Sequence, residues 1–216
     1  PTFAKFVLLH GVESTREVTV RQTDPSPASL RCSAKLESVK PQRVAVVGNA
    51  GSGKTALSRR VASRLGCAHI ELDGIHHLPD WTPIDRNEMR TIVSAHIRSE
   101  SWVVDGNYGT MVQDLVFAAA DTVAWLDFPR RIVTSRIVRR SLSRVFLRRE
   151  LWNGNRERAR NLLQTDPYEN IILWSITQHS KYRRQYEEAM ANLAYSHLEW
   201  RRFTTPQQAQ AWLETL

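Results

Sequence analysis

The residues Gly48-Asn49-Ala50-Gly51-Ser52-Gly53-Lys54-Thr55 satisfy the spacing GxxxxGK[ST], and every type in that run has a task on a polyphosphate. Glycines let successive main-chain N–H groups curl around an oxyanion. The helix expected to follow, with Ala56 in its first turn, turns its positive end toward the same charge. Lys54 reaches the outer phosphates and Thr55 offers a hydroxyl to magnesium. A chance match in an ordinary turn would lack flanking elements. Here the apolar run Val44 to Val47 leads into Gly48, and Leu57, Val61 and Leu65 recur at helical spacing beyond it. A nucleoside triphosphate, ATP or GTP, is therefore expected on this loop together with magnesium.

Asp73, Asp105 and Asp127 each follow an apolar run, and in open parallel sheets ligands lie beyond the carboxyl ends of strands, so three acids are expected to face one cleft. Phosphoryl transfer mostly needs positioning and charge neutralisation. Asp105, at the tip of Trp102-Val103-Val104, is the candidate for magnesium beside Thr55. Asp73 is the candidate for orienting or deprotonating an acceptor. Aspartate also caps loops and helices, a role that suits Asp127 best of the three. His76, His77 and Trp81 share the loop after the second expected strand and, with Tyr108, are candidate acceptor-binding side chains. A histidine pair can also hold a metal, yet no further ligand stands at a suitable spacing.

Between Arg130 and Arg160 eleven arginines face only Glu150 and Glu157. Arg136, Arg140, Arg144 and Arg148 are spaced by four and stack on one helical face, with Val138, Leu142 and Val145 as the expected apolar stripe opposite. Like charges at that spacing repel by a few tenths of a kcal/mol per pair unless an anion sits in front of them. Guanidinium binds phosphate bidentately and stacks on rings. Arg136 and Arg140 are therefore candidates for a lid over the nucleotide. Arg144, Arg148 and Arg149 are candidates for nucleic-acid contacts, and a solvated surface helix is the plainer alternative for the whole row.

Positioning these groups takes a parallel sheet. From Arg43 onward, apolar runs of strand length alternate with helical patterns, the order that gives a sheet with helices on both faces. Strands are expected at 44–47, 69–72, 102–104, 122–126 and within 197–203. Asp85 with Glu88 signals a helix whose buried stripe is Met89, Ile92, Val93, His96 and Ile97. Asp166-Pro167-Tyr168-Glu169 and Thr205-Pro206-Gln207-Gln208 signal a long helix and a final one. Residues 1–42, with Asp24-Pro25-Ser26-Pro27 as a breaker, read as a flexible or loosely packed extension carrying a short strand at Val18 and Val20. Residues 43–216 read as one domain with its lid at about 130–165.

The bulk numbers agree with one domain: 216 residues at 42% apolar composition can bury one substantial core. No apolar run reaches membrane-spanning length, and Phe6-Val7-Leu8-Leu9 is too short for a signal peptide, so a cytoplasmic protein without a membrane partner is expected. Cys32 and Cys67 lack the spacing of a zinc site or a disulfide framework. The net charge of +8 favours anionic partners, whether nucleotide, acidic substrate or nucleic acid.

The chain from about Arg43 to its C-terminus resembles the adenylate-kinase-like P-loop kinases, and more closely the small bacterial proteins called DNA topology modulation or FlaR-like. The resemblance implies an α/β, three-layer P-loop NTPase fold with a five-stranded parallel sheet and an Arg-rich helical lid. It also implies a kinase moving phosphate from ATP, with magnesium, to a small-molecule acceptor. The stretch Phe128 to Arg140 is similar to the start of the adenylate kinase lid, which implies that Arg136 stacks on adenine and Arg140 contacts phosphates. Val104-Asp105-Gly106 is similar to the family's strand-end Asp-Gly. Thr204-Thr205-Pro206 resembles the turn whose backbone touches adenine, which brings Thr205 and Pro206 into the nucleotide site. Glu71 to Trp81 and Glu150 to Glu157 resemble the FlaR-type signatures. The mononucleotide-binding insert of adenylate kinases is replaced by the His-Trp loop, which is also similar to gluconate-type kinases, where an Asp and a His meet the acceptor. The FlaR-like label implies an effect on DNA without a mechanism, so an ATP-switched DNA- or RNA-binding regulator using the arginine helix is the alternative expectation.

Overall fold

Strand and helix alternate through residues 40–216, the part of the chain that the computed structural model describes. In order these are β1 (Arg43–Gly48), α1 (Lys54–Leu65), β2 (Ala68–Glu71), α2 (Leu72–His76), α3 (Arg86–His96) and β3 (Trp102–Asp105). There follow α4 (Gln113–Ala119), β4 (Thr122–Leu126), α5 (Arg130–Phe146), α6 (Ala159–Leu162), α7 (Ile171–Ala191), β5 (Glu199–Phe203) and α8 (Pro206–Glu214). The expected extension over 1–42 and its strand at Val18 and Val20 lie outside the described residues, except for 40–42. There Lys40 Nζ donates to Leu216 O at 2.7 Å and Trp102 N to Gln42 O at 2.9 Å.

All five strands are parallel, in the order β2-β3-β1-β4-β5. Alternation along β1 divides the core. Val44 and Val46 face α1 and α8 through Leu57, Val61, Trp212 and Leu213, while Ala45 and Val47 face α3, α4 and α7 through Met89, Val93, Phe117 and Tyr186. The three central strands are apolar on both faces because helices cover both. The edge strands β2 and β5 mix exposed and buried positions. A slip of one residue in β1 would exchange Val44 and Val46 with Ala45 and Val47 between two closely packed faces and move Gly48 off the strand tip. Parallel strands bring the tips Gly48, Glu71, Asp105, Leu126 and Phe203 to one edge of the sheet.

Several expectations shift. Leu72, placed in the second strand by its apolar run, is buried but opens α2. The expected loop up to Pro83 therefore holds α2 and a single 3-10 turn, Pro79–Trp81, with Asp80 and Trp81 left-handed. On α3, Asp85 caps Asn87 N and Glu88 N as expected, but only Met89 and Val93 of the stripe are fully buried, and His96 in the last turn is exposed. The long helix starts at Ile171 rather than near Asp166. Asp166 closes the preceding turn through Tyr168 N, and Asn170 caps Ile172 N and Leu173 N while donating to Leu162 O and Gln164 O. The final helix starts as expected, with a full capping box between Thr205 and Gln208. Among the described residues no helix is long and apolar enough to cross a membrane.

Candidate active site

The turn from β1 to α1 is the phosphate-type loop. Its glycines are there for two reasons, torsion and space. Gly48 and Gly51 have φ of 141° and 87°, and an added Cβ would stand 2.6 Å from Leu126 O at the first and 2.7 Å from Val133 O at the second. Three neighbours hold the loop by its polar groups. Asn107 Nδ2 donates to Gly48 O at 2.6 Å and Ser175 Oγ to Ala50 O at 2.8 Å, while an Arg136 guanidinium N–H donates to Ser52 O at 3.0 Å. Asn49, itself buried, donates to Ser175 O at 2.7 Å. The carbonyls are thus tied back, whereas no hydrogen bond among the described residues takes the N–H of Gly51 or Gly53. Those donors, with the free N–H groups of the first turn of α1, leave a concave array for an anion. Ala56 is exposed in that first turn.

Lys54 folds over this loop, donating to Gly48 O at 2.8 Å and Asn49 O at 3.3 Å. Burial lowers its pKa, Asp73 and Asp105 act to raise it, and Arg140 adds to the lowering, so four of the sequence-selected groups are electrostatically coupled at the loop. Thr55 Oγ1 lies 3.4 Å from Glu71 Oε1. Asp105 is only 2% exposed, its Oδ2 has no hydrogen-bond partner, and His69 Nε2 stands 3.6 Å from that oxygen. Asp127 departs from the expectation of three acids in one cleft. Arg183 Nε at 2.9 Å and Arg202 at 2.6 and 3.0 Å occupy its carboxylate, which makes it a buried tie between β4, α7 and β5.

Asp73 sits on α2 and accepts a hydrogen bond from Tyr108 Oη at 2.6 Å. Burial and this carboxylate push the phenol far above its usual range, so it is a fixed neutral donor. The His76 ring lies 4.6 Å from the Tyr108 ring and 4.8 Å from His77, and His77 is 5.2 Å from Trp81. Burial lowers the pKa of both histidines, His77 lowers that of His76 further, and Asp73 opposes the shift in each.

The arginine helix α5 is turned differently from expectation. Its buried positions are Val133, Ile137 and Ser141, while Leu142 of the expected stripe is 43% exposed. Arg136, Arg140 and Arg144 are half-buried beside that seam, pointing toward the protein rather than away from it. Arg148 does not belong to the row, because α5 ends at Phe146 and Arg148 is left-handed at φ 45°. Arg136 lies over Phe128 at 5.4 Å besides bonding Ser52 O. Arg144 pairs with Glu157 at 2.6 Å and lies over Trp152 at 5.8 Å. Arg140 Nε is buried without a partner, and burial and Arg144 lower its pKa to about 10 while Glu157 and Asp73 act to raise it. Thr205 and Pro206 follow the tip of β5, on the same sheet edge as the loop.

The turn after α5 docks on the loop after α2. Asn153 Nδ2 donates to His77 O at 2.6 Å and to Gly74 O at 3.2 Å. Asn155 donates to Leu78 O at 2.8 Å and accepts from Trp81 N at 2.9 Å, and Trp152 stacks on His77 at 5.8 Å. The turn after α5 and the loop after α2 are therefore one bonded wall.

Comparison with known proteins fits this geometry. No family model matches the chain. It is 28% identical to the cytidylate kinase of Pyrococcus horikoshii over 179 residues, 72% of this chain and 89% of that enzyme. Its backbone matches the shikimate kinase of Acinetobacter baumannii, solved in complex with shikimate, with a TM-score of 0.50 at 16% identity over 80% of this chain and 89% of that one. The fold is that of the small P-loop kinases.

Within this small-kinase fold, sequence reasoning passed over several residues. Glu71 and His69 lie on β2, where an edge strand's polar positions look like solvent-facing ones. Asn107 directly follows Asp105-Gly106, so the strand-end reading could have included it. Ser175 carried no local signal, and Asn153 and Asn155 stood only within the Glu150 to Glu157 signature without a role of their own, since each acts on a segment remote in sequence.

Proposed function

We propose that the protein is a magnesium- and ATP-dependent phosphotransferase acting on a small-molecule acceptor. The observation that supports this reading is the Lys54 ammonium, folded over the glycine cradle 2.8 Å from Gly48 O, on whose charge Asp73, Asp105 and Arg140 all act. One cation binds charge, one acid suits a metal, one acid suits an acceptor, and one arginine comes from the lid.

Magnesium suits the donors present. Thr55 and Asp105 offer hard oxygens, and Asp105 Oδ2 is buried without any other partner. When bound, magnesium supplies charge neutralisation on the transferred group. The loop N–H groups and Lys54 hold the phosphates, Arg136 and Arg140 close over them, and Thr205 and Pro206 are assigned to the base. Asp73, fixed by Tyr108, orients an acceptor hydroxyl and takes its proton. His76, His77 and Trp81 line the acceptor side.

A nucleic-acid switch has less support, because Arg144, one of the three arginines it would use, is turned inward onto Glu157, which leaves Arg148 and Arg149 as its exposed candidates. The test is calorimetry with MgATP, followed by transfer of labelled γ-phosphate to a metabolite panel. Magnesium-dependent binding and transfer are expected, and a protein that takes up no purine triphosphate ends the proposal.

A further inference from the structure

A cavity of about 810 Å³ lies where the turn Pro79–Trp81, the end of α5 and the segment Gly154 to Asn161 meet. Small-ligand sites occupy roughly 300–1,000 Å³, so the space suits one compact molecule. No residue of the phosphate loop lines it, and neither do Asp73, Asp105, Arg136 or Arg140. Arg148, Arg156, Arg158 and Arg160 do. Arg156 pairs with Glu150 at 3.3 Å, but among the described residues Arg148, Arg158 and Arg160 have no ion-pair or side-chain hydrogen-bond partner. The acids on the wall are Glu157, which Arg144 neutralises at 2.6 Å, and Asp80. Guanidinium groups gathered at one space repel one another and leave it at positive potential, and an anion inside removes that cost.

The backbone marks the same place. Asp80, Trp81 and Arg148, at φ of 57°, 59° and 45°, are three of the four non-glycine residues with left-handed torsion among those described, and the fourth, Asn153, adjoins Gly154 on the wall. Bulky residues keep that conformation only where their surroundings over-determine it, and such residues collect at ligand clamps. Here Asn155, also on the wall, holds Trp81 N at 2.9 Å, and the indole is 37% exposed.

We propose that this cavity is a second nucleotide-type site, separate from the phosphate loop, for a small compound that carries a phosphate group and a flat ring. The phosphate takes charge-assisted hydrogen bonds from Arg158 and Arg160, the ring lies against Trp81, and Asp80 accepts from a sugar hydroxyl or ring amine. Because Trp81 belongs to one turn and Arg158 and Arg160 to the other segment, the ligand bridges them and braces the docking that Asn155 already makes. A nucleic-acid strand calls for cations laid out along a groove, whereas these line one space.

The experiment is calorimetry of the full chain with adenosine 5′-monophosphate, first without magnesium or triphosphate and then with a saturating non-hydrolysable MgATP analogue. One molecule should bind with the same affinity in both conditions. Arg158→Gln with Arg160→Gln should weaken it at least about tenfold, the scale of lost charge-assisted hydrogen bonds, while Tm and affinity for the analogue stay as in wild type. Trp81→Leu should weaken the monophosphate about tenfold through lost stacking, yet leave the affinity for inorganic phosphate unchanged. Displacement of the monophosphate by the analogue would assign these arginines to the phosphate loop and overturn the second site. So would absence of binding, or binding that ignores the arginine pair. Tighter binding of an oligodeoxythymidine than of the monophosphate would make a nucleic-acid strand the occupant and overturn the ligand class. A chain that binds the monophosphate as expected but no triphosphate keeps this site and loses the kinase reading.

Discussion

The two halves of the cleft are built by different means. The nucleotide half of the proposed site is made from the centre of the sheet: Gly48 and Asp105 are the buried ends of adjacent strands, and the loop between β1 and α1 is clamped from three sides by Asn107, Ser175 and Arg136. The acceptor half is made from two surface turns, each with left-handed residues, that find their shape by bonding each other. Binding a phosphate requires main-chain N–H groups at a fixed curvature, which glycine at fixed spacing encodes locally. Selecting an acceptor requires side chains on segments far apart in the chain to meet. On the proposed reading, the general chemistry sits on the rigid frame and the specificity on the docked turns.

The contrast breaks first at Lys54. Lys54→Met removes the one cation held within the loop itself, and kcat should fall by about 10³-fold, the scale seen when a preorganised charge is removed. Steady-state kinetics on the purified variant checks this, and a loss smaller than tenfold would mean the loop is not where the phosphoryl group is transferred. Asp73→Asn should cost about 10²-fold in kcat, the lower end for a lost general base, while MgATP affinity by calorimetry stays within about threefold of wild type. Should Asp73→Asn weaken nucleotide binding as much as turnover, the two halves are not separate.

The same contrast explains what could be seen from residues alone. Five parallel strands, the loop and the cap at Thr205 are local patterns of two to eight residues, and they stand as expected. The arginine row misled because spacing by four identifies a face without saying which way it points. Ile137 and Ser141, one and five residues beyond Arg136, are the positions that become buried, so the row rotates inward. Asp127, which also ends an apolar run but suited a structural role best of the three acids, takes such a role through Arg183 and Arg202, from α7 and β5, which the run itself could not name. Asn155 stood within the Glu150 to Glu157 signature, but its role was not legible because its partners Leu78 and Trp81 lie 77 and 74 positions away.

Asn155 also tests whether the acceptor half depends on docking. It is 5% exposed, and Asn155→Ala leaves Leu78 O and Trp81 N without partners, a loss of about 1–3 kcal/mol. In a chain of this size that lowers Tm by roughly 2–10 °C, measurable by calorimetry. MgATP affinity should be unchanged, since the residue touches no part of the loop. Equal thermal stability would mean that the two turns are not bonded in solution.

The smallest expected effect is a pH dependence confined to the acceptor half. His76 and His77 have folded-state pKa values below the ordinary value of about 6.5, so over that interval the unfolded chain binds more protons than the native one. Their contribution to stability is complete above about pH 6.5 and is lost as pH falls below it toward the folded values. The carboxyl of Asp114, held below the ordinary carboxylate range by its 2.8 Å pairing with Arg90, works in the same direction but titrates outside this window. Urea midpoints taken at about pH 7.5 and about pH 5 should therefore fall more for the wild type than for the double variant His76→Gln with His77→Gln. Identical pH slopes for the two proteins would mean that the imidazoles are solvated rather than held in the wall, and the acceptor compartment would then be open where Trp81 and Trp152 now close it.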